Sequence, residues 1–406
     1  MDFRLTPEQE QLQQKVRQFV REKVRPEAME RKWRPDARDR VPWDWVEELS
    51  RMGLRTLAVP REYGGGGASP LTLCVVAEEL AAGDMGLACI FDQTWKITRV
   101  FSEMASREQK EWFFPRFCAD HRFVLAICFT EPAHGSDYVI PYEGDWHFDT
   151  VARREGDGWV LEGRKRFISN GADAGLYLVF AATDPSRPAP EGTSCFMVPR
   201  DTPGLRVVRI HEKISQRLIN NAEIAFEGVR LPGSFLVGEE GRGLSSIAHV
   251  LRESAIEAGA TALGTARAAY EAALEWAAGR VQGGRPILHH PNVQLALAEM
   301  ATLLEAARCL IYRAAWAVEH QQPYDYKLSS MAKTFAAEAA FQVARRACEL
   351  LGGSAIMMEY PLQKYLRDVL SFLHSDGTQE AHRLRIGRML ARELAERGTG
   401  HAGHGG

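Results

Sequence analysis

Between residues 123 and 236 the spacing of apolar residues shifts from a helical to a strand rhythm, and afterwards it shifts back. Few architectures tolerate that order. Upstream, Leu12, Val16, Phe19, Val20 and Val24 recur at helical spacing behind Thr6-Pro7, with Gln9 placed to complete a capping box. Further helical runs are expected at 70–82 and 85–116. In the middle block "RFVLAICFT", "LYLVFAATD" and "AEIAFEGVRLP" are short and β-branched or aromatic, and "EGDG" between two alternating runs signals a hairpin. Downstream, Val293, Leu297, Met300, Leu304, Ala307 and Ile311 mark a helix of roughly 30 residues, a length that usually needs bundle partners. The expected class is α+β: a helical domain over 1–122, a β-barrel or sandwich over 123–236, a four-helix bundle over 237–396 and a disordered tail over 397–406. Helix, sheet, helix is not βαβ alternation, which argues against a Rossmann or P-loop core.

Bulk composition narrows the partners. Across 406 residues the net charge is -3 and no dense basic stripe is present, so nucleic acid is not expected. The polar start "MDFRLTPEQEQ" lacks the pattern of a secretory signal, and no apolar run is long enough to cross a membrane. Seven scattered cysteines, with no C-x-x-C, point to reduced thiols and a cytoplasmic location. H-E-x-x-H, zinc-ligand spacing and G-x-S-x-G are all absent, and no metal is expected; "GEEGRG" reads as a turn.

Chemistry-bearing motifs occur in a fixed order. "CFTEPAHGSD" (Cys128 to Asp137) is followed by "KRFISNG" (Lys165 to Gly171), "RVQGGRP" from Arg280, "CELLGGSA" with Gly352-Gly353, "EYPLQKYLRD", and "SDGT" with Asp376. Taken locally, Asp376 ahead of Gly377 and Thr378 reads more readily as a helix cap than as a catalytic acid, and Gly352-Gly353 is a good helix stop. As an ordered set covering nearly the whole chain, these motifs resemble the acyl-CoA dehydrogenase family. That resemblance implies FAD, an acyl-CoA substrate, an electron-transfer flavoprotein as partner and a homotetramer (a dimer of dimers). It also implies that a carboxylate takes the α-proton of the thioester while hydride leaves the β-carbon for flavin N5.

Residue by residue, the resemblance places Phe129 and Thr130 at the flavin pyrimidine edge, Phe167 and Ser169 against the ring, and Ser136 near the flavin phosphates or the acyl-CoA pantetheine. Arg280, Glu349, Gly352 and Gly353 fall where the pyrophosphate and adenosine are held at a subunit interface, and Thr378 also falls among the cofactor contacts. Residue 376 would be the base, its backbone N–H would hold the thioester oxygen, and Gly377 would line the substrate site. Several positions depart from the family. Phe167 and Ser169 replace Trp and Thr, Glu349 replaces Gln, Ala355 and Gly283 replace Gly and an aromatic, and Asp376 replaces the usual Glu. The shorter acid falls roughly 1.5 Å short, a displacement that can cost about 100-fold in rate. A second family position for the base carries Ser254-Ala255, which leaves Glu253 in reserve and Arg252 as a substitute for a lost CoA contact.

Two further features bear on the substrate. "DYVIPYEGDWHFDT" lengthens the loop after "GSD" with aromatic residues. Asp92 lies on a helix expected to line the acyl pocket, with Lys96 and Arg99 at i+4 and i+7. It is either part of a surface ion pair or, with Asp376, one flank of a polar, branched or cyclic acyl group. Two other functions fit the same fold. Nitroalkane oxidases resemble this family and use Asp with an arginine seven residues on, where Arg383 stands. A catalytically silent flavoprotein would suit the altered adenosine motif.

Overall fold

A computed structural model describes residues 4–138 and 146–401; of "DYVIPYEGDWHFDT", residues 139–145 lie outside them. Six helices come first: α1 (Pro7–Phe19), α2 (Arg25–Arg31), α3 (Trp43–Arg51), α4 (Pro70–Gly83), α5 (Met85–Met104) and α6 (Arg107–Ala119). The Thr6–Gln9 capping box opens α1 as read from sequence. The run expected over 85–116 is two helices, because Ser106 caps α6 with its own box to Gln109 and breaks the path after α5. From Leu73 to Gly83, α4 is buried on every side and forms the middle of this layer.

The middle block holds β1 (Leu125–Cys128), β2 (Val151–Glu155), β3 (Gly158–Ser169), β4 (Leu176–Ala182), the single turn α7 (Ala189–Gly192), β5 (Thr193–Pro199), β6 (Leu205–Ile210), β7 (Asn221–Pro232) and β8 (Leu236–Val237). They build one eight-stranded sheet in the order β6-β7-β3-β2-β4-β5-β8, branched where β4 pairs in parallel with both β1 and the start of β2. The β2–β3 hairpin turns at Gly156-Asp157 within "EGDG". Strand alternation splits β4 between two cores: Leu176, Leu178 and Phe180 face Phe101, Phe113 and Phe117 of the helical layer, while Tyr177, Val179 and Ala181 pack with Trp159, Phe196 and Phe226.

The chain then returns to helix with α8 (Gly243–Gly279), α9 (Pro291–His320), α10 (Lys327–Leu351), α11 (Leu362–Leu370) and α12 (Gln379–His401). Packed along α8, α9 and α12, α10 anchors the bundle. Where α8 crosses α4, a Cβ on Gly264 would stand 2.1 Å from the Glu78 carbonyl oxygen, so only glycine permits this approach. Helix α12 runs past 396 to His401, correcting the expected start of the tail, because extending an existing helix is far cheaper than starting one. Gly352, at φ +60°, caps α10.

Candidate functional site

The segment after β1, the ends of β3 and β7, the facing sides of α5 and α8, and the turn before α12 converge on one cavity of about 1370 Å³. Its lining includes Phe129, Thr130, Ser136, Phe167, Ser169, Asp376 and Gly377, so the motifs from "CFTEPAHGSD", "KRFISNG" and "SDGT" meet in space.

On the sheet side, the segment after β1 is pinned by a wholly buried ion pair. Glu131 meets Lys165 of β3 at 2.7 Å, and its carboxylate also accepts the backbone N–H groups of Asp149 (2.6 Å) and Thr150 (3.0 Å). Burial pushes the Glu131 carboxyl up, but the Lys165 ammonium and the Thr150 donors outweigh it and hold it below the usual range. Lys165 also donates to the Phe129 carbonyl (3.1 Å), and the Arg166 N–H donates to that of Thr130 (2.8 Å). Neither member of this pair was singled out in the sequence.

Between Lys165 and Ile168 the β3–β7 register slips, which leaves a bulge with Phe167 at φ +59°. A phenylalanine in left-handed backbone is strained. The bulge turns this ring outward, 51% exposed, onto the cavity. Asn221 braces it by donating to the Phe167 carbonyl (2.8 Å) and to Ser169 Oγ (3.1 Å). An exposed, braced aromatic beside two hydroxyls fits a flat heteroaromatic ring such as a flavin.

On the helical side Asp376 has φ +52°, a conformation Asp tolerates better than most residues. It is not the cap of α12. Thr378 is, because its Oγ1 accepts the Ala381 N–H at 3.2 Å. Lys96 Nζ bonds Asp376 Oδ1 at 2.7 Å, and the side chain keeps 23% of its surface open to the cavity. The Asp376 carbonyl accepts His382 Nε2–H (2.8 Å), which leaves Nδ1 to accept from Ser330 Oγ. Burial drives His382 down to about 4, so it stays neutral. Lys333 donates to the Gly377 carbonyl at 2.7 Å, and burial lowers it to about 8. Burial pushes the Asp376 carboxyl up, but Lys96, with Lys333 and His382 behind it, prevails and holds it below the usual range.

Asp92 is fully buried, which corrects the surface-pair reading. Its expected partners are engaged elsewhere: Lys96 with Asp376, and Arg99 with Glu253 (2.6 Å) and Glu257 (2.8 Å). Burial raises Asp92 to about 8 against the pull of Lys96, and Glu257 and Asp376 add to the rise. Glu253 is turned to Arg99, and its neighbours Leu251, Ser254 and Ala255 on α8 meet the cavity instead. Arg252 lies outside the residues whose side chains are described.

Arg280, Glu349, Gly352 and Gly353 do not line the cavity; Arg280 ends α8, roughly 40 Å along the helix from Ser254. Glu349 pairs with Arg345 and Arg346, and Arg383 pairs with Glu338 on α10 away from the cavity. Arg385, Arg388 and Arg392 do line it, at i, i+3 and i+7 on α12, a spacing legible in the sequence but not singled out there.

Three family models match the chain: "Acyl-CoA dehydrogenase, N-terminal domain" over 6–121, "Acyl-CoA dehydrogenase, middle domain" over 126–229 and "Acyl-CoA dehydrogenase, C-terminal domain" over 241–391. A mitochondrial isobutyryl-CoA dehydrogenase of Dictyostelium discoideum is 32% identical over 96% of this chain and 90% of its own length. A cyclohex-1-ene-1-carbonyl-CoA dehydrogenase of Syntrophus aciditrophicus is 33% identical over 95% and 90%. Among solved structures, a glutaryl-CoA dehydrogenase of Mycobacterium smegmatis in complex with FADH2 superposes with a TM-score of 0.84 at 28% identity, covering 95% of each chain.

Proposed function

The chain belongs to the acyl-CoA dehydrogenase family, and from this premise we propose that it desaturates a branched or cyclic acyl-CoA across the α,β bond with Asp376 as the base. It is an FAD-dependent oxidoreductase of acyl-CoA CH–CH bonds. When bound, FAD supplies the hydride acceptor.

The observation that carries the reading is an ionised carboxylate, that of Asp376, which keeps an oxygen free of protein donors and faces the cavity from a strained, triply held turn. Lys96 occupies Oδ1, so the α-proton goes to Oδ2. A base held ionised in a site closed to bulk water can act once the substrate covers it. The His382 bond to the Asp376 carbonyl fixes the adjoining peptide, and the N–H of residue 376 takes the thioester oxygen as negative charge develops there. Phe167 forms the ring wall, with Thr130 and Ser169 as polar contacts at its edge and Phe129 and Ser136 as further cofactor contacts, while Thr378, which caps α12, does not line the cavity. The arginines of α12 suit the polyanionic end of CoA.

An acid one methylene shorter than the family's usual Glu leaves room for bulk at the α-carbon. The names of the Dictyostelium and Syntrophus relatives are consistent with branched and cyclic acyl groups. In this reading Arg280, Glu349, Gly352 and Gly353 meet the adenosine end of cofactor bound by a neighbouring copy in a tetramer. Electrons leave to an electron-transfer flavoprotein, and the enzyme works in the cytoplasm.

The test is the anaerobic visible spectrum of the flavin-loaded protein on addition of straight, branched and cyclic acyl-CoAs. Bleaching by isobutyryl-CoA or a cyclohexenyl thioester in preference to butyryl-CoA supports the assignment. A flavin bleached by nitroalkanes and by no acyl-CoA overturns it in favour of the oxidase.

A further inference from the structure

Beside the Asp376 turn, α5 and α8 bury more acids than cations. Asp92, Lys96 and Arg99 come from α5, Glu253 and Glu257 from α8, and Asp376 closes the group. Four carboxyls thus share two cations. Arg99 serves Glu253 and one oxygen of Glu257, and Lys96 serves Asp376. What remains is Asp92 Oδ1 and Glu257 Oε2, both buried with no hydrogen-bond partner among the described residues. The nearest help is Gln93, a long 3.4 Å from Asp92 Oδ2. Two neighbouring carboxyls, each with an orphaned oxygen, are satisfied by a single proton held between them.

We propose that Asp92 and Glu257 share one proton, and that Lys96 divides its charge between Asp92 and Asp376, so that this buried pair sets how strongly Asp376 attracts a proton. The inference rests on Asp376 as the base. While the shared proton is in place, Lys96 is committed to Asp376 and keeps it weakly basic. Loss of that proton draws Lys96 toward Asp92, four residues back on the same helix face. Asp376 then loses part of its counter-ion, gains a like charge nearby, and becomes the stronger base. The other titratable groups facing the cluster do not replace this role. Burial drives the Cys74 thiol of α4 and the Cys89 thiol of α5 well up, so both stay neutral. His382 of α12 is neutral, and Lys333 of α10 is spent on the Gly377 carbonyl and Gln379. Asp92 and Glu257 are therefore positioning residues acting through Lys96, and the upward push of burial on both agrees with a held proton.

The test is infrared difference spectroscopy of the FAD-loaded protein across the neutral and mildly alkaline range, reading the carboxylic-acid C=O stretch. The wild type is expected to show such a band at neutral pH and lose it on alkalinisation, and Asp92→Asn and Glu257→Gln should each abolish it. Asp376→Asn frees Lys96 for Asp92 and should lower the band's midpoint by about one pH unit or more. The proposal is overturned by a wild type without the band, by a band that survives Asp92→Asn, or by a midpoint that Asp376→Asn leaves in place. Glu257→Gln approaches the pair from the other helix, which guards against misfolding of one variant. Acyl-CoA bleaching of the flavin in Asp376→Asn reports on the base alone, so the two readings fail separately.

Discussion

Two lysine–carboxylate pairs of equal length, 2.7 Å, sit on opposite walls of the cavity and are built to opposite ends. Glu131 and Lys165 form a closed pair: the carboxylate takes two backbone N–H groups besides the ammonium, and neither side chain is exposed. Asp376 and Lys96 form an open one, with part of the carboxylate facing the cavity and an under-satisfied acid, Asp92, behind the lysine. Distance does not tell the structural pair from the chemical one. Saturation does: a fully bonded carboxylate has no vacancy for a proton, and one with an oxygen to spare has.

The contrast breaks most sharply at the open pair. Asp376→Asn should slow flavin reduction by a good acyl-CoA substrate by about 10³-fold, within the usual worth of a general base, while flavin content and melting temperature stay near wild type. Rapid-mixing reduction kinetics measure it. The closed pair should behave in the opposite way. Lys165→Met strands Glu131 in the core and is expected to cost about 3–5 kcal/mol in denaturant unfolding. A variant that kept its stability would show that Glu131 escapes to water.

Phe167→Ala probes the bulge between the two walls. It should weaken flavin retention by about tenfold, the scale of a lost stacking contact, measured by equilibrium dialysis, with little change in stability because the ring is half exposed.

The gentlest separation uses pH. Asp92 is raised in the fold, so the native state holds a proton that the unfolded chain has released between the ordinary aspartate range and about 8. Its contribution is complete below that range and falls as pH rises through the window. Glu131 is lowered, so its contribution is present above the ordinary glutamate range and lost on acidification. Unfolding free energy should therefore decline toward about pH 8 in the wild type and less so in Asp92→Asn, while the acid limb is the same in both.

Much of this was legible in advance, and the limits have physical causes. Apolar period placed the helices and the sheet, and turn chemistry placed the "EGDG" hairpin and the first cap, since each depends on residues a few positions apart. Motif order brought Phe129, Thr130, Ser136, Phe167, Ser169, Asp376 and Gly377 to one cavity. Lys96 was the failure. Its i−4 neighbour Asp92 was the visible partner, yet the bonded acid lies 280 residues away, a choice made by packing that no local window contains. The break before α6 was missed because a serine cap inside an apolar stretch is a weak local signal. Arg280, Glu349 and the glycine pair stand apart from the cavity, and no local window of the sequence could show that.

Helices α5, α10 and α12 each send one side chain to two consecutive residues: Lys96 to the Asp376 carboxylate, His382 to its carbonyl, and Lys333 to that of Gly377. A turn tied to one helix breathes with that helix, whereas one tied to three moves only when all three let go. The backbone of residues 376 and 377 should accordingly be as ordered as that of the core helices, which NMR order parameters would read, although they lie in a connecting loop.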